Sequence, residues 1–197
     1  MPPIIDPNAL PQFDYRRIVA TGRFDHSKEM LIGPRLHDGD DGYLVITPLL
    51  RPADNPDPKY TILVNRGWIS RKMADQRKRR ELGGQRALPD GEIQVEGLLR
   101  MPWKRNMFSP VNKPEEGKWY FPDVGEMAEA VGSQKVWVEE TMEMNLMEAY
   151  EREPKGVPIG RPAEVNIRNN HLQYIVTWYV FSLFTVLQGF QQGVFGV

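Results

Sequence analysis

"YLVITPLLRPADNPDPKYTILVNRGWI", residues 43–69, decides the fold class. Residues 43–50 and 60–69 are two runs of Val, Ile, Leu and aromatic side chains, each of strand length. The cluster "RPADNPDPK" between them is rich in Pro, Asp and Asn, which favour turns. Two strands joined by a loop of this size predict an antiparallel pair.

Working outward, the same pattern recurs. "YRRIVATGRFD" (15–25) is a strand whose glycine can mark a bulge. "EMLIG" (29–33) is a short apolar piece before the turn-forming "PRLHDGDDG". In "GEIQVEGLLRMPW" (91–103), Ile93 and Val95 alternate with Gln94 and Glu96, as on a half-buried strand. "EGKWYFPDV" (116–124), "KVWVEET" (135–141) and "PAEVNIR" (162–168) complete six or seven strands. "DVGEMAEAVG" (123–132) starts with Asp123 and Glu126 in capping-box spacing and ends in glycine, so it predicts a short helix. Residues 70–82 are charged nearly all round, with Met73, Ala74 and Leu82 as their apolar anchors, so a helix there is expected to be solvated. The fold class read from this is mainly β (α+β), an antiparallel barrel-like or sandwich-like domain with short helices. The expected organisation is an extended lead-in over 1–14, a soluble β-rich domain over 15–168 and a distinct segment over 169–197.

That last segment changes the chemistry. From Leu172 to Val197 no residue is charged, and about 20 mostly apolar residues suffice to cross a bilayer. Its apolar side chains surround a helix instead of striping it, so one C-terminal transmembrane helix is expected. At 100° per residue, His171, Tyr174, Trp178, Ser182, Thr185 and Gly189 share one narrow face, suited to a partner helix. His171 stands at the polar boundary of this run. It is open to three readings: a wetted interfacial imidazole, a contact with a partner helix, or a ligand to a metal or haem iron.

Composition narrows the function. With 197 residues, a formal net charge of −1 and a pI near 6.3, the chain lacks the basic balance of a general nucleic-acid binder. Having no cysteine, it has no disulfide, thiolate zinc site, iron–sulfur cluster or Cys nucleophile. The N-terminal residues have neither the basic n-region nor the apolar h-region of a secretory signal. No P-loop, dinucleotide fingerprint, HExxH or Ser/His/Asp spacing occurs, and no enzyme activity is expected. "HDGDDG" (37–42) is too short for an EF-hand loop and reads as a turn. Arg71, Lys72, Arg77, Lys78, Arg79 and Arg80 form a basic run, readable as a solvated face or as a contact with anionic headgroups. In "VNRGWIS" (64–70), Gly67 permits a positive φ or a close backbone approach. Arg66, Gly67 and Trp68 are therefore candidates for a binding rim, where Arg66 pairs with a carboxylate or propionate, or for a strand-end bulge with Trp68 packed inward.

Five blocks occur in order: "GRFDHSKEM" (22–30), "GPR" (33–35), "GYLVITPL" (42–49), "VNRGWI" (64–69) and "NNHLQYIVTWY" (169–179). Together they resemble the surfeit-locus cytochrome c oxidase assembly factor family, and most of all its fungal mitochondrial members, over roughly residues 15–179. "RGW" and "NNHLQY…TWY" are the specific blocks. The resemblance implies an inner-membrane mitochondrial protein with its soluble domain in the intermembrane space. It implies a non-enzymatic role in early maturation of the haem-carrying catalytic subunit of cytochrome c oxidase, with that subunit and other assembly factors as partners. It also implies transient contact with haem a, carried by His171 as an iron ligand with Tyr174 and Trp178 beside it. The family's first membrane helix, expected ahead of the domain, has no counterpart here, nor have the basic residues expected after the last helix. Two rival readings remain: a membrane scaffold that stabilises an assembly intermediate without a cofactor, and an enzyme of haem or lipid modification.

Overall fold

The structure, a computed structural model, describes residues 10–52, 57–101, 103–142, 146–162 and Tyr179. Among these residues seven strands form one sheet: β1 (Arg17–Phe24), β2 (Met30–His37), β3 (Asp40–Leu50), β4 (Ile62–Ser70), β5 (Ile93–Arg100), β6 (Trp137–Met142) and β7 (Arg161–Pro162). Among the described residues three named helices accompany them: α1 (Gln76–Ala87), α2 (Val124–Val131) and α3 (Leu146–Arg152). The strand order is β1-β5-β6-β4-β3-β2, with β7 on β6; β1 also meets β3 through Arg23↔Leu50 and Phe24↔Leu49.

The pair predicted from residues 43–69 is there, with β3 and β4 antiparallel. The wider expectation of an antiparallel barrel-like or sandwich-like β domain is corrected. The arrangement is mixed α/β on a single sheet, because β6 runs parallel to both β4 and β7. The physical reason lies in β4, which is buried on both faces. Ile62 and Val64 pack with Phe24, Leu49, Val95 and Val138. Leu63, on the opposite face, packs with Ile32, Trp137 and Met127 of α2. A strand sandwiched this way tolerates a parallel neighbour, whose crossover places a helix over the sheet. Each fully buried Val, Leu or Ile contributes roughly 1.5–3 kcal/mol.

α2 follows its sequence signals. The Asp123 carboxylate accepts a hydrogen bond from the Glu126 N–H at 3.1 Å, and Gly132 ends the helix with φ 73°. Residues 116–124 do not form a strand; Trp119 makes only an isolated bridge to Ile32. Of the strand expected over 162–168, only Pro162 lies within the described residues, in the two-residue β7.

The expected C-terminal transmembrane helix is also corrected. Among the described residues no helix is long and apolar enough to cross a membrane. The longest, α1, has 12 residues and is kinked at Gly84, so its rise is at most about 18 Å against a hydrocarbon core of about 30 Å. Half of its 12 residues are moreover charged. His171, Tyr174 and Trp178 lie outside the described residues.

Candidate functional site

The site begins with a bulge in β4. Val45 faces Gly67 and Ile46 faces Asn65, leaving Arg66 as the extra residue. Gly67 adopts φ 115°, and its N–H donates to the Asn65 side-chain oxygen at 3.1 Å. A Cβ at this glycine would stand 2.0 Å from the Ile159 carbonyl oxygen. That closeness is needed, because Trp68 and Ile159 exchange two backbone hydrogen bonds of 2.9 Å. Sequence order alone gave no sign of this pairing, which joins positions far apart in the chain.

The bulge sends Arg66 inward and Trp68 toward the hairpin of β2 and β3. Arg66 is buried; its Nη1 donates to the Ala87 carbonyl at 2.8 Å, its guanidinium lies 4.8 Å from the Phe24 ring centre, and Nε stands 3.8 Å from Glu140 Oε2. It does not line an open rim. Burial pushes the Glu140 carboxyl up from its ordinary value, against the opposing pull of the Arg66 and Arg152 charges. Trp68 is buried and donates its indole N–H to the Arg35 carbonyl at 3.0 Å, while His37 tilts over it with ring centres 5.0 Å apart.

A second buried charge stands nearby. Arg79, from the run expected to be solvated, is fully buried and forms a forked ion pair with Glu29, through Nη1 at 3.2 Å and through a shorter Nη2 contact. Gln76 steadies the carboxylate with a 3.1 Å bond and also donates to the His26 carbonyl at 2.8 Å. The His26 ring is held 2.9 Å from the Pro89 carbonyl through Nε2. Burial lowers the pKa of this imidazole, with Arg66 acting in the same direction and the Pro89 hydrogen bond against it. His26 is therefore a neutral donor within the packing. The rest of the basic run is partly neutralised at the surface, Arg71 by Asp41 and Arg80 by Asp90, each at 2.8 Å.

A third network lies where β5, β6 and β7 meet. Glu139 accepts from Arg161 at 2.7 Å and Arg100 at 3.3 Å, and Arg100 also pairs with Asp14 at 3.3 Å.

Beside Trp68 a cavity of about 220 Å³ is lined by His37, Asp38, Asp40, Tyr150, Glu153 and Ile159. Its aromatic wall and acidic rim suit a cation and repel the carboxylates of a haem. Another, of about 400 Å³, lies between Lys28, Leu50, Thr61 and Val131. Among the described residues no group of three or more His, Asp or Glu side chains is placed to hold a metal ion. Of the two described histidines, His26 is committed to Pro89 and His37 sits against Trp68 and the acidic rim. The described residues therefore do not fit a haem.

Residues 1–183 match the SURF1 family. The chain is similar to "Surfeit locus protein 1" of Homo sapiens, at 32% identity over 191 residues, covering 91% of this chain and 59% of that protein. Its counterpart in Rattus norvegicus shares 34% over 188 residues, covering 88% and 56%. "Cytochrome oxidase assembly protein SHY1" of Saccharomyces cerevisiae shares 27% over 250 residues, covering 95% and 62%. The chain thus spans about three fifths of the length of these relatives. The chain belongs to the SURF1 family.

Proposed function

We propose that this member of the SURF1 family is a non-enzymatic assembly factor for cytochrome c oxidase, acting in early maturation of the haem-carrying catalytic subunit. The observation that carries the reading is the similarity, across 95% of the chain, to a yeast protein named for cytochrome oxidase assembly. The site's chemistry is compatible with holding a partner. Arg66, Arg79 and Glu29 are bound into the packing, and Trp68 is fixed by its own hydrogen bond. Such groups stiffen a platform. The proposal places the protein at the mitochondrial inner membrane with its domain on the intermembrane side, among fungal-type members of the family, in company with the catalytic subunit and other assembly factors.

The finer part of the proposal is transient contact with haem a through His171, with Tyr174 and Trp178 beside it. Its support is the block "NNHLQYIVTWY", and it is tested apart from the assembly role. Protein with His171→Ala is reconstituted with haem a and compared with the unaltered chain. Weaker binding and a shifted Soret band are expected; an unchanged spectrum and affinity would remove the haem assignment. A scaffold without cofactor is favoured by one observation, the acidic rim of the Trp68 cavity. Affinity capture of the protein from its own mitochondria, with partners and pigment analysed together, separates the two. Newly made catalytic subunit with haem a supports the first reading, the subunit without pigment supports the scaffold, and neither would defeat the assembly proposal.

A further inference from the structure

The most exposed large apolar side chains of the described structure share one loop. Beyond β5 the chain runs "MPWKRNMFSPVNK", residues 101–113, with three cationic side chains and no carboxylate. Met107 is 92% exposed and Phe108 89%, and Val111, Trp103 and Met101 are exposed with them. The loop is built to hold this shape. The Asn106 side chain accepts from the Phe108 N–H at 3.0 Å, and the Ser109 hydroxyl bonds the Asn106 N–H at 2.9 Å, fixing the turn that presents Met107 and Phe108. At its base, Trp103 meets the buried Trp137 edge to face, with ring centres 5.6 Å apart. Arg105 is tied to Glu126 and Lys113 to Glu116, each at 3.1 Å, which leaves exposed Lys104 as the loop's unpaired cation among the described residues.

Two passages of the chain converge on the root of this loop. The Met101 N–H donates to Asp14 at 3.1 Å, just before β1 begins. Arg100 and Arg161 share the Glu139 carboxylate just where β7 forms. Tyr15, half exposed, lies under the Arg100 guanidinium at 3.9 Å.

We propose that the loop 101–113 is a membrane-surface contact, whose tip, Met107 and Phe108, enters the headgroup–acyl boundary of a bilayer carrying anionic lipid. Exposed apolar patches of this kind mark interaction sites. Aromatic residues beside basic ones match the layered chemistry of a bilayer surface, where the ring enters the apolar boundary and the cation meets phosphate. Lys104, beside the apolar tip, has no carboxylate partner among the described residues, and an anionic bilayer surface supplies the charge it lacks. The proposal goes beyond the assembly role and stands without it, since it rests on this surface alone.

The absence of cysteine permits a direct test. The full chain is made with Phe108→Cys, and separately with Leu36→Cys, an exposed apolar position on β2. Each is labelled with an environment-sensitive dye and mixed with vesicles of phosphatidylcholine and phosphatidylglycerol. Because the dye reports its own surroundings, attachment through any other part of the chain does not imitate the result. The expected result is a blue shift and loss of iodide quenching at position 108 but not at 36, weaker on phosphatidylcholine alone and weakened by salt. Adding Met107→Ser to the Phe108→Cys chain raises the vesicle concentration needed for half the shift by about tenfold, from the apolar area lost. Lys104→Glu weakens the response on the anionic vesicles only. A dye at 108 that stays as open to iodide as the one at 36 would overturn the proposal. So would protection at 108 that requires an added protein and not lipid.

Discussion

Replacing Gly67 by Ala perturbs the bulge at its tightest point. Two costs add. At φ 115° a side chain is strained, which costs about 1–3 kcal/mol. The new Cβ would also lie 2.0 Å from the Ile159 carbonyl oxygen, a contact the backbone must relieve by moving. Movement breaks or stretches the two Trp68–Ile159 hydrogen bonds, each contributing about 1 kcal/mol. Gly67→Ala is therefore expected to lower the unfolding free energy by about 3–5 kcal/mol. Gly91→Ala is the matched control, with φ 89° and nothing within 4 Å of the added methyl; it carries the strain alone, about 1–3 kcal/mol. Urea unfolding followed by tryptophan fluorescence and by circular dichroism gives both values. Equal losses in the two variants would refute the close-approach argument, leaving Gly67 as a residue needed only for its dihedral.

Arg79→Ala leaves the Glu29 carboxylate buried without its partner and should destabilise by about 3–5 kcal/mol, whereas exposed Arg77→Ala should stay within about 0.5 kcal/mol; comparable urea midpoints would contradict the buried pairing. His26 has its pKa lowered by burial, so the stability it contributes is fully present above the ordinary imidazole value of 6.5 and is lost as pH falls toward its folded value. His26→Asn should flatten that decline in unfolding free energy against pH. Glu140 acts in the opposite sense: its raised pKa gives stability that is present below the ordinary value of 4.5 and is lost as pH rises through the folded value. Glu140→Gln should remove that loss, and an unchanged slope above 4.5 would contradict the desolvation of the Glu140 carboxyl beside Arg66.

The strand pair of residues 43–69 was legible because a Pro/Asp/Asn-rich break separates two apolar runs, and α2 because its cap and its terminal glycine flank it. The parallel neighbour of β4 was not legible. A fully apolar strand announces burial on both faces but not the direction of its partner, which here arrives after α1, β5 and α2. Arg79 looked like Arg77 and Arg80 because the difference lies in Glu29, 50 positions away in sequence. α3 was missed although Glu148 and Arg152, four apart and paired at 2.6 Å, offered a local helical signal. In the site, glycine at 67 pointed to an unusual backbone, and the structure supplied the reason in Ile159. That Arg66 turns inward instead of facing solvent could not be read from "RGW", because a bulge reverses the alternation on which such a reading depends. The tip at Met107 and Phe108 was not singled out, since no periodicity distinguishes an exposed apolar pair from a buried one.

The assembly role is tested most directly by removing this protein from its own cells and following newly synthesised catalytic subunit on native gels, with the other respiratory complexes as internal reference. The account predicts that early oxidase intermediates fail to accumulate and that oxidase activity falls while the other complexes hold their levels. Normal oxidase content, with intermediates maturing at the usual rate, would contradict it.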